Sequence, residues 1–131
     1  MGNPQRAQER AQARILIADD DRQVRRLFAE TLISEGYEVL EAPTGKKALD
    51  TLRSTVCDIL ILDLSMPDQD GFDVLRELRY EMPELKIVVI SGYMQGAFLE
   101  AASFLGAMET LGKPTTPKIL AETVRRILAQ R

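Results

Sequence analysis

Acidic, hydroxyl and lysine side chains follow the short apolar segments of this sequence. Asp19 to Asp21 come directly after the first apolar segment and Asp63 ends the third, while Ser91 and Lys113 follow the fourth and fifth. Oxygen ligands of this kind suit a hard cation such as Mg²⁺. A carboxylate can also act as a nucleophile, with lysine and hydroxyl groups stabilising the oxygens of a phosphoryl group in transfer. The residue types therefore indicate metal-assisted phosphoryl chemistry.

Each of these residues also has an ordinary structural explanation. An Asp before a helix is commonly an N-cap, and we expect Asp21 to be one. Taken alone, Lys113 is more often a solvated surface lysine and Ser91 a turn hydroxyl. Asp63 favours a functional explanation over a structural one, because its strand should lie beside the first and so bring three carboxylates together. Two carboxylates about 4 Å apart repel by roughly 4 kcal/mol at an effective dielectric of about 20, so the cluster should hold a proton or bind a cation.

The elements that must position these residues alternate along the chain. Apolar runs predict five strands, and helical spacing of apolar residues predicts a helix after each. The predicted strands are 15–18, 37–42, 58–63, 85–90 and 107–111. Gly36, Thr44, Pro83 and Thr116 mark helix ends, and the fourth helix, 95–105, is weakened by Gly96. This pattern predicts an α/β fold with a doubly wound parallel sheet, in which ligands bind beyond the carboxyl ends of the strands.

Length and composition exclude several classes of protein. At roughly 100–200 residues per domain, a chain of 131 residues is one domain, which we place at 14–131 after a flexible tail, 1–13. The net charge of −3 makes nucleic acid and membrane surfaces poor partners. The chain has no histidine, so it holds no catalytic triad, His-ligated metal or phosphohistidine. The single Cys57 cannot form an internal disulfide, which favours a cytoplasmic location.

Four segments, in chain order, resemble the motifs of response-regulator receiver domains. They are ILIADDD at 15–21, ILDLSMPDQDG at 61–71, VISG at 89–92 and GKP at 112–114. The match covers about residues 14 to 130. The resemblance implies a flavodoxin-like (βα)5 fold of three layers with strand order 2-1-3-4-5, acting in two-component phosphorelay signalling.

The resemblance also implies a role for each residue at the strand ends. Asp63 would be the phosphoacceptor. Asp20 and Asp63, with the backbone carbonyl of Ser65, would ligate Mg²⁺ (or Mn²⁺), while Asp19 acts through a metal-bound water. Lys113 would contact the phosphoryl group, aimed by a following bond to proline that is usually cis in this family.

Ser91 would be the hydroxyl switch that moves towards the phosphoryl group. Receivers usually have Tyr or Phe three residues before the lysine, but Thr110 stands here, which argues against a ring-rotation switch. Thr115 likewise replaces a frequent Phe after the Lys-Pro pair, so packing on the last helix face differs. Ser65 and Tyr93 occupy the two positions that tune dephosphorylation, and the bulk of Tyr93 predicts a long-lived phosphoryl group.

Three other functions compete with a receiver. An FMN-binding protein of this topology would need a glycine- and hydroxyl-rich phosphate loop where the three aspartates stand. An Mg²⁺-dependent phosphohydrolase with an aspartate nucleophile would want a general acid two residues after Asp63, and Ser65 is there. A receiver-like binding module that no longer accepts phosphate is disfavoured because every acidic, hydroxyl and lysine position is filled.

The receiver interpretation carries expectations about partners. The phosphoryl donor would be a histidine kinase or a histidine phosphotransfer protein, and the output a contact with a downstream protein. A homodimer through the face formed by helix 4, strand 5 and helix 5 is a further expectation. The chain would catalyse only its own phosphoryl acceptance and slow autodephosphorylation, so it is not expected to be an enzyme. With the chain ending after the last helix, either a stand-alone receiver or one cut from a larger regulator or hybrid kinase is expected.

Overall fold

A five-stranded parallel sheet forms the centre of the molecule. A computed structural model describes residues 12–64, 71–92, 97–104 and 106–130. The strands are β1 (Arg14–Ala18), β2 (Glu38–Ala42), β3 (Ile59–Asp63), β4 (Lys86–Ser91) and β5 (Glu109–Gly112). They lie in the order β2-β1-β3-β4-β5, and every neighbouring pair is parallel. The predicted doubly wound fold and its strand order are confirmed.

Helices cover both faces of the sheet. They are α1 (Arg22–Ser34), α2 (Gly45–Ser54), α3 (Gly71–Glu81), α4 (Ala97–Phe104) and α5 (Pro117–Ala129). Successive strand residues point to opposite faces, so Ile15 and Ile17 pack against α1 and α5, while Leu16 and Ala18 pack with α2, α3 and α4. Because both faces are buried, β3 reads as the continuous apolar run ILIL before its terminal aspartate.

The local signals in the sequence act as expected at the helix ends. The Asp21 carboxylate accepts hydrogen bonds from the N–H groups of Gln23 and Val24, so it is the N-cap of α1. Thr44 and Thr116 cap α2 and α5 in the same way. Gly36 follows α1 with φ of 102°, a left-handed conformation that favours glycine. These caps fix where each helix begins or ends, and hence where each site loop leaves the sheet.

Some strand boundaries differ from those that the apolar pattern predicts. The pattern begins the fifth strand at Ala107, but that residue is buried beneath α4 and donates its N–H to the Ala102 carbonyl. Strand pairing therefore begins only at Glu109, opposite Val88. Tyr37 and Asp58 likewise precede β2 and β3; Asp58 accepts a hydrogen bond from the Arg14 N–H through its side chain. Ala107 resembles a strand residue in the sequence because it is apolar and buried, whereas Tyr37 and Asp58 are only partly buried and directly precede apolar strands.

The predicted tail lies almost wholly outside the described residues. Of the predicted tail, 1–13, the structure describes residues 12 and 13 alone, so its flexibility stays a prediction. Within the described ranges, the helices are too short or too polar to cross a membrane.

Candidate functional site

Three carboxylates meet at the carboxyl edge of the sheet. Asp19 directly follows β1 and Asp63 ends β3, and these two strands are neighbours. Carboxylate oxygens of Asp19, Asp20 and Asp63 all lie within 4.8 Å of one another. Asp19 and Asp63 are only 4 % and 2 % exposed, whereas Asp20 faces solvent. The predicted convergence of the strand ends is therefore present, with an opening on the Asp20 side.

The Asp19 carboxylate is held in place by backbone groups. Its Oδ1 accepts a hydrogen bond of 2.9 Å from the Asp21 N–H, and its own N–H donates to the Ala42 carbonyl at the end of β2. Burial raises the pKa of Asp19 to about 6, the nearby charge of Asp63 adds to the rise, and the Asp21 N–H and Lys113 oppose it. A carboxyl group in this position is therefore poised to keep a proton or to face a cation.

Lys113 forms an ion pair with Asp63. Its Nζ lies 3.2 Å from Asp63 Oδ2, and its backbone N–H donates to the Ser91 carbonyl. The Lys113-Pro114 peptide bond is cis, as the family resemblance implies. A Cβ added to Gly92 would lie 3.1 Å from the Lys113 Cδ, so the lysine stem runs close over the backbone that follows β4.

Ser91 and Thr110 lie on β4 and β5, the two strands that follow β3 on one side of the sheet. Ser91 is the last residue of β4, is 2 % exposed and pairs with Gly112 of β5. Thr110 is half-buried on β5 opposite Val89. The structure thus places Ser91 at the carboxyl end of the sheet, as it does the carboxylates. Thr110 lies two residues before the carboxyl end of β5.

Two of the predicted site residues lie outside the described part of the chain. Ser65, with its backbone carbonyl, belongs to residues 65–70, and Tyr93 belongs to residues 93–96. Their roles as metal ligand and as tuning positions therefore stay predictions.

A recess opens beside the carboxylates, between α1 and the loop after β5. It encloses about 460 Å³ and is lined by Asp21, Val24, Phe28, Ile90, Lys113, Pro114 and Thr115. Its floor is mostly apolar, and Lys113 connects it to Asp63. Thr115, where receivers often carry Phe, lines this recess.

Sequence reasoning missed one side chain that contacts the site. Arg25, in the second turn of α1, donates from Nη1 to the carbonyl oxygen of Asp19 at 2.7 Å. Its Nε donates to Glu41 of β2 at 2.8 Å. An arginine on an exposed-looking helix face gives no signal of this in the sequence, because one partner follows β1 and the other lies on β2.

A doubly wound parallel sheet carries an acidic cluster and a lysine together at the carboxyl ends of its strands, where ligands bind in open α/β sheets. The family model described as the response regulator receiver domain matches residues 15–125. The chain belongs to this family, whose members act in two-component signalling.

Curated relatives support this assignment over different lengths. The chain is 31 % identical over 115 residues to the chemotaxis protein CheY of Thermotoga maritima, covering 87 % of this chain and 96 % of that protein. It is 36 % identical over 118 residues to the sensor kinase CckA of Brucella abortus, covering 88 % of this chain. The chain spans only 12 % of CckA and 46 % of the transcriptional regulator ycf27 of Galdieria sulphuraria. The same domain thus occurs in short proteins and in parts of longer ones.

Solved structures agree with the fold. A CheY-like receiver domain protein from Methanospirillum hungatei superposes with a TM-score of 0.84 at 28 % identity, covering 90 % of this chain and 94 % of that one. The response regulator TrrA of Thermotoga maritima, solved in complex with Mg²⁺-BeF, gives a TM-score of 0.79 at 33 % identity, covering 88 % and 98 %.

Proposed function

We propose that this domain accepts a phosphoryl group on Asp63 and uses the acyl phosphate as a signal to a protein partner. The observation that carries the proposal is the position of Asp63. It is 2 % exposed, its Oδ2 lies 3.2 Å from Lys113 Nζ, and two further carboxylates stand within 4.8 Å. A merely structural aspartate would not need two like charges beside it, because their repulsion destabilises the fold.

The reaction would be an in-line transfer from a phosphohistidine. A carboxylate oxygen of Asp63 attacks phosphorus, the new O–P bond forms as the N–P bond breaks, and the electron pair returns to the donor imidazole, which then binds a proton. Lys113 would stabilise the charge on the phosphoryl oxygens, and the Ser91 hydroxyl would donate to one of them once transfer is complete. Movement of Ser91 towards the phosphoryl group would then begin the conformational switch, with Thr110 in place of the usual ring.

The acidic cluster fits a divalent cation by its donor chemistry. Asp19, Asp20 and Asp63 offer carboxylate oxygens alone, which suits Mg²⁺ or Mn²⁺ better than a soft metal. In our proposal Asp20 and Asp63 ligate the ion with the Ser65 carbonyl, and Asp19 acts through a metal-bound water. When bound, the cation would neutralise charge on the phosphoryl oxygens. The complex of TrrA with Mg²⁺-BeF supports this assignment by analogy.

The phosphoryl donor must lie outside these residues, because the sequence contains no histidine. We propose a histidine kinase or a histidine phosphotransfer protein as the donor, a downstream protein as the target, and the α4-β5-α5 face as a homodimer contact. We place the domain in the cytoplasm and expect no nucleic acid or membrane partner and no catalytic turnover beyond its own phosphorylation and slow dephosphorylation.

Incubation with acetyl phosphate and Mg²⁺ tests the proposal. Intact mass should show one added phosphoryl group on the parent chain and on Asp50→Asn, an exposed aspartate of α2 that serves as control. The Asp63→Asn variant should show none. An adduct that forms equally on Asp63→Asn would refute the assignment. Rapid, continuous phosphate release from general phosphomonoesters would instead favour a phosphohydrolase.

A further inference from the structure

Arg25 connects α1 with β2 and with the residue that follows β1, beside the acidic site. Its guanidinium donates to the Asp19 carbonyl oxygen at 2.7 Å and to Glu41 Oε1 at 2.8 Å. The arginine and glutamate side chains are only 11 % and 21 % exposed. A partly buried guanidinium with two fixed acceptors has little freedom, because each hydrogen bond restricts the geometry of the other.

The carbonyl that Arg25 contacts belongs to the peptide between Asp19 and Asp20. A change in the ψ angle of Asp19 would move this carbonyl oxygen and the Cα of Asp20 together, and so displace the exposed Asp20 carboxylate relative to Asp19 and Asp63. The N–H of Asp19 is already fixed by the Ala42 carbonyl, and its side chain by the Asp21 N–H. The bond from Arg25 therefore fixes the remaining backbone group of Asp19, on the side that leads to Asp20.

We propose that Arg25, anchored by Glu41, is a positioning residue that holds the Asp19-Asp20 peptide so that the two carboxylates face one cation together with Asp63. The inference rests on the proposed function, since it concerns the same cation site. Arg25 contacts a backbone oxygen rather than the carboxylates, so it acts through the geometry of the loop. Groups that orient ligands in this way commonly affect metal affinity by about 10- to 100-fold.

Arg26 provides a matched control. It neighbours Arg25 on α1 and also pairs with Glu41, but its side chain is 45 % exposed. Arg26 donates hydrogen bonds to Glu41 and Glu30. Its replacement therefore removes an arginine and its ion pairs from the same surface but leaves the hydrogen bond from Arg25 to the Asp19 carbonyl in place.

Titration calorimetry of Mg²⁺ into the full chain separates the two roles. We expect Arg25→Met to raise the Mg²⁺ dissociation constant by about tenfold. We expect Arg26→Met to stay within about twofold of the parent, because an exposed pair contributes little. Glu41→Gln, which keeps a neutral acceptor for Arg25, should weaken binding by about threefold and serves as the second test if Arg25→Met does not fold. Acetyl phosphate labelling should be slow in Arg25→Met at limiting Mg²⁺ and return to the parental rate at saturating Mg²⁺.

The outcomes distinguish this inference from the proposed function. If the parent binds Mg²⁺ and Arg25→Met binds it no more weakly than Arg26→Met, the Arg25 pair serves packing alone and the inference is wrong while the function stands. An unchanged Glu41→Gln affinity would contradict it equally where Arg25→Met is unfolded. If the parent chain itself binds no Mg²⁺ and accepts no phosphoryl group, the proposed function fails, and the inference fails with it.

Discussion

Lys113 Nζ lies 3.2 Å from Asp63 Oδ2, so the end of β5 is joined to the end of β3 across the intervening β4. The lysine is 37 % exposed and reaches inward, whereas the aspartate is 2 % exposed. The pair places a partly exposed positive charge beside a buried carboxylate. It also connects the proposed site of phosphorylation directly to the last strand, from which α5 follows.

Replacing Lys113 should slow phosphoryl acceptance. We expect Lys113→Met to lower the rate with acetyl phosphate by at least about tenfold, because the phosphoryl oxygens lose a positive partner in the transition state. The measurement is the time course of adduct formation by intact mass at saturating Mg²⁺. Lys118→Met, which removes an exposed lysine from α5, is the control and should react at the parental rate. Equal rates for the two variants would show that Lys113 takes no part in the transfer.

The raised pKa of Asp19 predicts a pH-dependent loss of stability in the metal-free protein. Its pKa is about 6 in the folded state against 3.8 as the ordinary value, so the folded state holds this proton more tightly. The resulting stability is fully present below pH 3.8 and is lost as the pH rises through about 6. Above that window the ionised Asp19 destabilises the fold.

Asp19→Asn tests this dependence, since asparagine keeps an oxygen acceptor for the Asp21 N–H but carries no charge. At neutral pH with EDTA we expect the variant to unfold with a free energy about 1 to 3 kcal/mol above that of the parent. The gain should shrink towards pH 4, and added Mg²⁺ should stabilise the parent more than the variant. Urea unfolding at several pH values measures these differences. A variant less stable than the parent at neutral pH would contradict the prediction.

Gly71 should tolerate a side chain poorly. A Cβ there would lie 2.6 Å from the Leu64 Cα, so backbone on both sides would have to move. We expect Gly71→Ala to lower the free energy of unfolding by about 2 kcal/mol or more. Gly112→Ala is the control, because a Cβ at Gly112 meets nothing within 4 Å. Comparable urea midpoints for the two variants would show that α3 and the end of β3 separate without strain.

Tyr93 should prolong the life of the phosphoryl group. Its ring is predicted to shield the acyl phosphate from water, so Tyr93→Ala should lose its label faster than the parent. The decay of the adduct after removal of acetyl phosphate measures this rate. Tyr93→Phe, which keeps the bulk of the ring, should decay like the parent. A Tyr93→Ala adduct that decays no faster would exclude the shielding role.

Much of this molecule could be predicted from the sequence because its signals are local or repeated. The apolar run before Asp63 and the aspartate at the start of α1 show a buried strand and a helix cap without knowledge of their neighbours. Since the carboxyl ends of parallel strands share one edge, Asp19 after the first apolar run and Asp63 at the end of the third are also predicted to meet. Carboxylate oxygens of the two residues lie within 4.8 Å of each other, which confirms this prediction.

Other features depend on partners that the sequence does not identify. The order of the strands follows only from the family resemblance. A strand that is buried on both faces is apolar throughout, so its sequence does not indicate which strands lie beside it. The hydrogen bond from Arg25 to the Asp19 carbonyl depends on the packing of α1 against β2. This packing brings Glu41 beside Arg25, although the two are 16 positions apart in the sequence. The apolar pattern places Ala107 in a strand because a residue buried under a helix and one buried in a sheet are equally apolar in sequence.

Chemical mapping of the phosphorylated residue tests the central claim most directly. After labelling with acetyl phosphate, borohydride reduces an aspartyl phosphate to homoserine, and trypsin then releases the peptide 54–76, which contains Asp63 among other aspartates. Fragmentation of this peptide should place homoserine at position 63 and nowhere else, and only when Mg²⁺ was present. Homoserine at another aspartate, or a labelled chain with none at position 63, would contradict the account.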